Sequence, residues 1–270
     1  MLASLMRASL MRKAAVVAVF AVIGAAPALA ISDKPYATAA EIDTIMLLAP
    51  PPAPGSEPYK RDLEQLLAIQ KSRTPEQIER AQIGGDFQGF ASVLGAKFTA
   101  ANLPTASAFI RKVTRETTIA VDRVKDCWEK ARPFVASKEV TPVPGSFESM
   151  MIKPGTSLDN AAPHGAGSPC KAPETNPAAS YSYPSGGANV GITAAVLLAN
   201  MVPEKRAEIF ARGWEYGDNR LVLGVHWPSD VEGSKIAATA MIAVMMQNPE
   251  FKSDLAAARA EVRRVLGLAP

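Results

Sequence analysis

Residues 219–230, NRLVLGVHWPSD, place His226 six residues after Arg220 and four before Asp230. A carboxylate one helical turn from an imidazole can hold the Nδ1 proton and leave Nε2 free to attack an electrophile. Upstream, residues 125–133, KDCWEKARP, set Lys125 and Arg132 seven apart, two helical turns, so both can point the same way at the end of one helix. Between these segments, residues 183–189, YPSGGAN, run directly into an apolar stretch. There Pro184 fixes the path, Ser185 can cap a helix, and Gly186 and Gly187 let backbone N–H groups approach an anion. Taken singly, each has a plain structural alternative. A basic pair is usually a solvated helix face, a Ser-Gly-Gly turn an ordinary cap, and a lone histidine most often structural.

These residues need a scaffold, and the pattern beyond residue 30 is helical. Ala39–Leu48 reads as a short helix ended by the proline run 50–55, whose rings remove donors and fix an extended path. Tyr59–Lys71 carries apolar residues at 63, 66, 67 and 69, and Thr74-Pro75-Glu76-Gln77 is a good helix start. Pro104 to about Ala131 keeps Ala108, Phe109, Val113, Ile119, Val121 and Val124 near one face. Lys138–Tyr183 holds seven prolines, four glycines and no sustained period, so a long loop near the candidate site is expected. Helices are expected at about 185–201, 203–222, 229–247 and 249–265. With no internal repeat and no interdomain linker, the economical fold is all-α, one helical bundle over residues 31–270.

Composition narrows the function classes. Of 270 residues 48% are hydrophobic, too apolar for a disordered chain. The formal charge of +3 resides in residues 1–30, which hold Arg7, Arg12 and Lys13 and no acid; the remainder carries 26 basic and 26 acidic residues. That neutrality argues against nucleic acid or an anionic membrane as the main partner. Two histidines and two cysteines argue against a self-sufficient zinc site. The basic start, the apolar Ala14–Ala26 and Ala28-Leu29-Ala30 fit a cleavable signal peptide over residues 1–30, the alternative being an uncleaved anchor. Export places the mature chain in the periplasm or outside the cell, with no membrane segment left. There a Cys127–Cys170 disulfide can persist; two buried thiols are the alternative.

Together, the three segments resemble a family pattern: K-x6-R-P, then P-S-G-H, then S-R-x5-H-x3-D, as in the type 2 phosphatidic-acid phosphatase superfamily, which also holds vanadium haloperoxidases. The chain looks most like the bacterial class A non-specific acid phosphatase branch, through its signal peptide, residues 47–55 (LLAPPPAPG) and the Arg73-Thr74-Pro75 helix start. The resemblance implies an all-helical fold and hydrolysis of small phosphate monoesters without metal or other cofactor, through a phosphohistidine. It implies His226 as nucleophile and Asp230 as its orienting carboxylate. Lys125, Arg132 and Arg220 would hold the phosphoryl oxygens, with Ser185 and the Gly186 N–H as neutral donors. A homo-oligomer is left open.

Two positions depart from the pattern. Asn219 stands in place of Ser, a mild change. Gly187 stands in place of the His that, in the family, protonates the leaving oxygen and helps activate water. Such help is typically worth about 10²–10⁴ in rate. His164, in the long loop, is the only other histidine and a candidate substitute acid; an exposed loop histidine is the plainer reading. A reduced or narrowed phosphatase is thus expected. The alternatives are a non-catalytic phosphate- or phosphoester-binding protein and, less so, a vanadate-dependent haloperoxidase-like activity.

Overall fold

The computed structural model describes residues 31–38, 41–83, 86–151, 170 and 180–270. The expected signal peptide and His164 lie outside the described residues. Among those described, every regular element is helical and no strand forms, as the sequence predicts. In chain order the helices are α1 (Thr44–Leu47), α2 (Glu57–Ser72), α3 (Pro75–Gln82), α4 (Ala91–Leu94), α5 (Pro104–Trp128), α6 (Pro133–Ala136), α7 (Gly186–Met201), α8 (Arg206–Val222), α9 (Pro228–Met245) and α10 (Pro249–Leu266). Single 3-10 turns occupy Phe87–Phe90, Glu148–Met150 and Pro203–Lys205.

α7 is the axis of the bundle and packs against α5, α8, α9 and α10. Its sequence, GGANVGITAAVLLANM, has no charged residue, so it must be surrounded rather than laid on a surface. Glycines set its distance from α8. A Cβ on Gly191 would fall 2.5 Å from the Gly213 carbonyl oxygen, and one on Gly213 would fall 2.5 Å from Ala195 Cβ. The main core joins α5, α7, α8, α9 and α10 and includes Tyr36, Phe109 and Phe251, whose rings meet edge to face at 5.2–5.9 Å.

Helix ends follow local chemistry in part. Thr74 and Gln77 form the capping box that their spacing suggests: Thr74 Oγ1 accepts from Gln77 N–H, and the Gln77 side chain accepts from Thr74 N–H. α5 has no such local cap. Its first amides, on Thr105 and Ala106, donate to the Glu261 carboxylate from α10. That long-range cap has no local signature.

Two expectations need correction. Helix over Ala39–Leu48 shrinks to α1, because the Asp43 carboxylate accepts Ile45 N–H and starts the helix there; residues 39–40 lie outside the described residues. The helix expected to reach Ala131 stops at Trp128, with Glu129 left-handed at φ 47°. Arg132 precedes Pro133 and is held extended at ψ 149°, so the chain must leave the helix before it. Lys125 and Arg132 therefore do not share one helix. Short helices at 91–94 and 133–136 appear where no pattern announced them.

The disulfide forms between Cys127, in the last turn of α5, and Cys170. It ties the long connection to a cluster containing Val124, Tyr183 and Ala237. The bond closes 43 residues of chain, which in the chain-entropy model contributes about 4 kcal/mol. Reduction, or Cys170→Ser, should lower the urea midpoint accordingly. Equal midpoints with and without reductant would refute a stabilising bond.

Candidate active site

The spacing of His226 and Asp230 is explained by the start of α9. Trp227 is the N-cap, Pro228 the first helical residue and Asp230 the third. From that position a carboxylate reaches back to the N-cap amide: Asp230 Oδ2 accepts Trp227 N–H at 2.9 Å. The same oxygen lies 3.1 Å from His226 Nδ1. Both side chains are buried, with residue exposures of 3% for His226 and 0% for Asp230. The other ring nitrogen, Nε2, lies 2.7 Å from Arg132 Nη1. A guanidinium can only donate, so Nε2 accepts and Nδ1 carries the hydrogen given to Asp230. The histidine is thereby fixed as the tautomer with its Nε2 lone pair toward the cations.

Arg132 arrives from the turn between α5 and α6. Its other hydrogens go to the Ser180 carbonyl (2.8 Å), Ser180 Oγ (3.0 Å) and the Val225 carbonyl (3.0 Å). Lys125, on the last turn of α5, pairs with Asp122 at 2.9 Å, and a Cβ on Gly186 would lie 3.8 Å from its Nζ. So the structure brings Lys125 to the start of α7, where Ser185 is the N-cap and its Oγ accepts Ala188 N–H at 3.3 Å. Helical bonding within α7 begins with Asn189 N–H donating to the Ser185 carbonyl. The Gly186 and Gly187 amides therefore belong to the first turn, where N–H groups have no acceptor inside the helix and favour an anion.

Arg220 sits differently from the other cations. Its Nη2 donates to the Ala81 carbonyl at the end of α3, and its Nε is buried without a partner among the described residues. Its methylenes lie over Gly187: a Cβ there would fall 2.8 Å from Arg220 Cδ. Gly187, Asn219 and Arg220 line a pocket of about 120 Å³ together with Ile83, Arg212 and Tyr216. The position lacking an imidazole is thus bordered by the arginine stem and an open pocket.

Charge is concentrated here on buried groups. Burial, then Arg132, holds His226 well below its ordinary value, at about 3, against the opposing pull of Asp230. Burial alone would raise Asp230, yet Lys130, the His226 hydrogen bond and Trp227 N–H outweigh it and keep the carboxyl near 2. Burial first, and Arg220 less, lower Arg132 to about 10 against the opposing pull of Asp230. Lys125 is lowered too, by burial first and less by Arg132.

The sequence reading passed over Lys130, Asp62 and Ser229. Lys130 Nζ donates to Ser229 Oγ at 2.7 Å and to Asp230 Oδ1 at 3.0 Å, and lies 3.7 Å from Asp62 Oδ2. No local signal marks Lys130, because the carboxylate that it meets is a hundred residues away.

These shifts make stability fall in acid. Unfolding returns His226 to 6.5, so between pH 6.5 and about 3 the unfolded chain binds a proton that the folded chain refuses. Stability drops as pH falls through that window. The contribution of Asp230, present above 3.8, is lost lower down as pH falls toward 2. Urea unfolding from pH 7 to pH 4 should show a slope approaching about 1.4 kcal/mol per pH unit from His226. His226→Asn, which takes no proton, should flatten it; an unchanged slope would contradict the assignment.

The acid phosphatase of Zymomonas mobilis subsp. mobilis is 27% identical over 228 residues, covering 82% of this chain and 76% of the relative. The non-specific acid phosphatase of Providencia stuartii is 26% identical over 231 residues, covering 83% and 82%. That of Salmonella typhimurium is 27% identical over 228 residues, covering 82% and 80%. The family model described as the PAP2 superfamily matches residues 106–254, more than half of the chain. By that match, the chain belongs to the PAP2 superfamily.

Proposed function

We propose that this chain is an acid phosphatase that hydrolyses phosphate monoesters through a phosphohistidine on His226. One observation carries the reading: an imidazole with Nδ1–H on a buried carboxylate and Nε2 facing a guanidinium. An anionic ester would draw Arg132 Nη1 from Nε2 onto a phosphoryl oxygen, which frees the lone pair as it brings phosphorus within reach. Lys125 and the Gly186 N–H would take other oxygens, and Arg220 would swing from Ala81 to join them. Nε2 then attacks phosphorus, a P–N bond forms, and the P–O bond to the leaving group breaks with its electrons. Nδ1 keeps its proton, and Asp230, accepting that hydrogen bond, stabilises the ring as it gains positive charge. Water attacks the phosphohistidine in a second step, releasing inorganic phosphate and the neutral imidazole. Such a transition state needs positioning and charge more than covalent chemistry.

Gly187 offers no proton to the leaving oxygen, so the activity is narrowed to esters whose leaving group departs as a stable anion. We read residues 1–30 as an export signal and the mature chain as periplasmic or secreted. A disulfide at Cys127–Cys170 suits that compartment, and no helix among the described residues is long and apolar enough to cross a membrane.

Turnover of p-nitrophenyl phosphate in acid, resistant to EDTA, inhibited by vanadate and lost in His226→Ala, is the expected result. Label from substrate should be trapped on His226 by a quench that spares acid-labile bonds. Phosphate binding without turnover would favour a binding protein, and vanadate-dependent halide oxidation a haloperoxidase-like activity.

Aryl phosphates should be strongly preferred over alkyl phosphates. Gly187→His must displace the Arg220 stem, which a flexible side chain allows, and should raise alkyl turnover about 10²-fold or more. An unchanged alkyl-to-aryl ratio would mean that another group already supplies the proton, and loss of activity in His164→Ala would identify it.

A further inference from the structure

A carboxylate beside a histidine ordinarily raises the imidazole's proton affinity and favours imidazolium, which has no lone pair to give. A histidine that is to attack in acid needs a carboxylate that orients Nδ1–H without drawing a second proton onto the ring. The groups behind Asp230 provide this. Lys130 is 8% exposed, and its Nζ bonds Asp230 Oδ1 at 3.0 Å and Ser229 Oγ at 2.7 Å. The Trp227 and Tyr183 rings flank it, with centroids 5.3 Å and 5.8 Å from Nζ. Its carbonyl accepts Ser182 N–H at 2.8 Å, which fixes the backbone. Ser229 Oγ donates to Asp62 Oδ2, so the cluster reaches α2.

We propose that Lys130 is a positioning residue: seated on Asp230 Oδ1, it neutralises the carboxylate, reserves Oδ2 for His226 Nδ1–H and Trp227 N–H, and so keeps Nε2 unprotonated in acid. The ammonium is on the side of Asp230 away from the histidine, so it acts through the carboxylate and does not touch substrate.

The charged and titratable groups facing Asp230 among the described residues come from every neighbouring element. They are Asp62 from α2, Lys125 from α5, Lys130 and Arg132 from the following turn, Tyr183 before α7, and His226 before α9. Four are cationic or able to become so. Asp62 is the competing anion, and its carboxyl is raised, chiefly by burial, whereas that of Asp230 is lowered. On acidification Asp62 is therefore neutralised first, which leaves the charge of Lys130 to Asp230 in the range where the imidazole is most at risk of protonation.

The test reads the imidazole directly. With only two histidines, ¹⁵N-histidine labelling and long-range ¹H–¹⁵N spectra of the full chain separate His226 from His164, assigned by His164→Gln. Wild type should show a neutral His226 with Nδ1 protonated from pH 7 down to pH 4. In Lys130→Met the ring should take a proton, with its midpoint moved up by about 1–3 pH units, and Lys130→Arg should restore the neutral tautomer. The kinetic arm rests on the phosphatase reading: the acid limb of kcat/KM should move up by the same amount in Lys130→Met. Asp62→Asn removes a negative neighbour and should move the limb down or leave it. A structural role alone would lower stability in both variants and move neither limb. Should Lys130→Met not fold, Lys130→Gln keeps hydrogen-bond donors without the charge and gives the same comparison. A folded Lys130→Met or Lys130→Gln variant whose His226 stays neutral as in wild type overturns the proposal. If wild type turns over no phosphate ester, the phosphatase reading falls while the spectra still decide for Lys130.

Discussion

Asp230 is a carboxylate fully buried from solvent, and the surrounding structure is arranged to keep it ionised. Taking a lone carboxylate out of water is so unfavourable that the group would ordinarily accept a proton instead. Here each oxygen has its own partners. Oδ1 takes an ammonium, and Oδ2 takes an imidazole N–H and a backbone N–H. These partners come from two stretches of chain a hundred residues apart. The turn after α5 can meet the start of α9 only if the bundle holds them together. Even the Asp230 carbonyl is used, accepting Ser185 N–H at 2.9 Å and so locking the start of α9 to the start of α7. Removing the carboxylate would leave Lys130 buried beside Asp62 alone.

The closeness of the helices follows from what their sequences omit. Gly191 and Gly213 let α7 and α8 touch backbone to side chain, and Gly217 leaves room for Val231 from α9. A polar seam crosses the α5–α7 contact, where Asn189 Nδ2 donates to Thr117 Oγ1 and Thr117 meets Thr193 at 3.2 Å. Such a buried polar contact sets the rotation of one helix on the other, since a slipped register would strand the amide. With that register set, the Ser185 turn, the end of α5 and the His226 loop are brought to one place.

How far the sequence speaks for itself depends on the range of the interaction. The capping box at Thr74 and the helix start at Pro228 are legible because their partners are within four residues. The all-helical class is legible from periodicity. The end of α5 is not, since a left-handed Glu129 has no glycine to announce it and the constraint at Arg132 does not say how early the helix must stop. The Glu261 cap on α5 and the Lys130–Asp230 pair are invisible for another reason: each joins residues about a hundred or more positions apart, and local chemistry is equally content without them. His226 and Asp230 stand out by their spacing, whereas Lys130 has no partner near it in the sequence. Its importance arises only from where the fold puts a carboxylate.

The contact between Arg132 and Nε2 has a chemical consequence for the resting protein. A histidine lone pair held near an acid-resistant carboxylate is ordinarily a good ligand for copper or zinc and a ready target for alkylating reagents. In this chain that lone pair is already occupied by a cation that repels other cations, and the guanidinium gives it up only to something negatively charged. The ring is thus chemoselective before any reaction begins. It is shielded from metal cations and neutral electrophiles and opened by an anion, so the same arginine that would bind the substrate also guards the atom that would attack it.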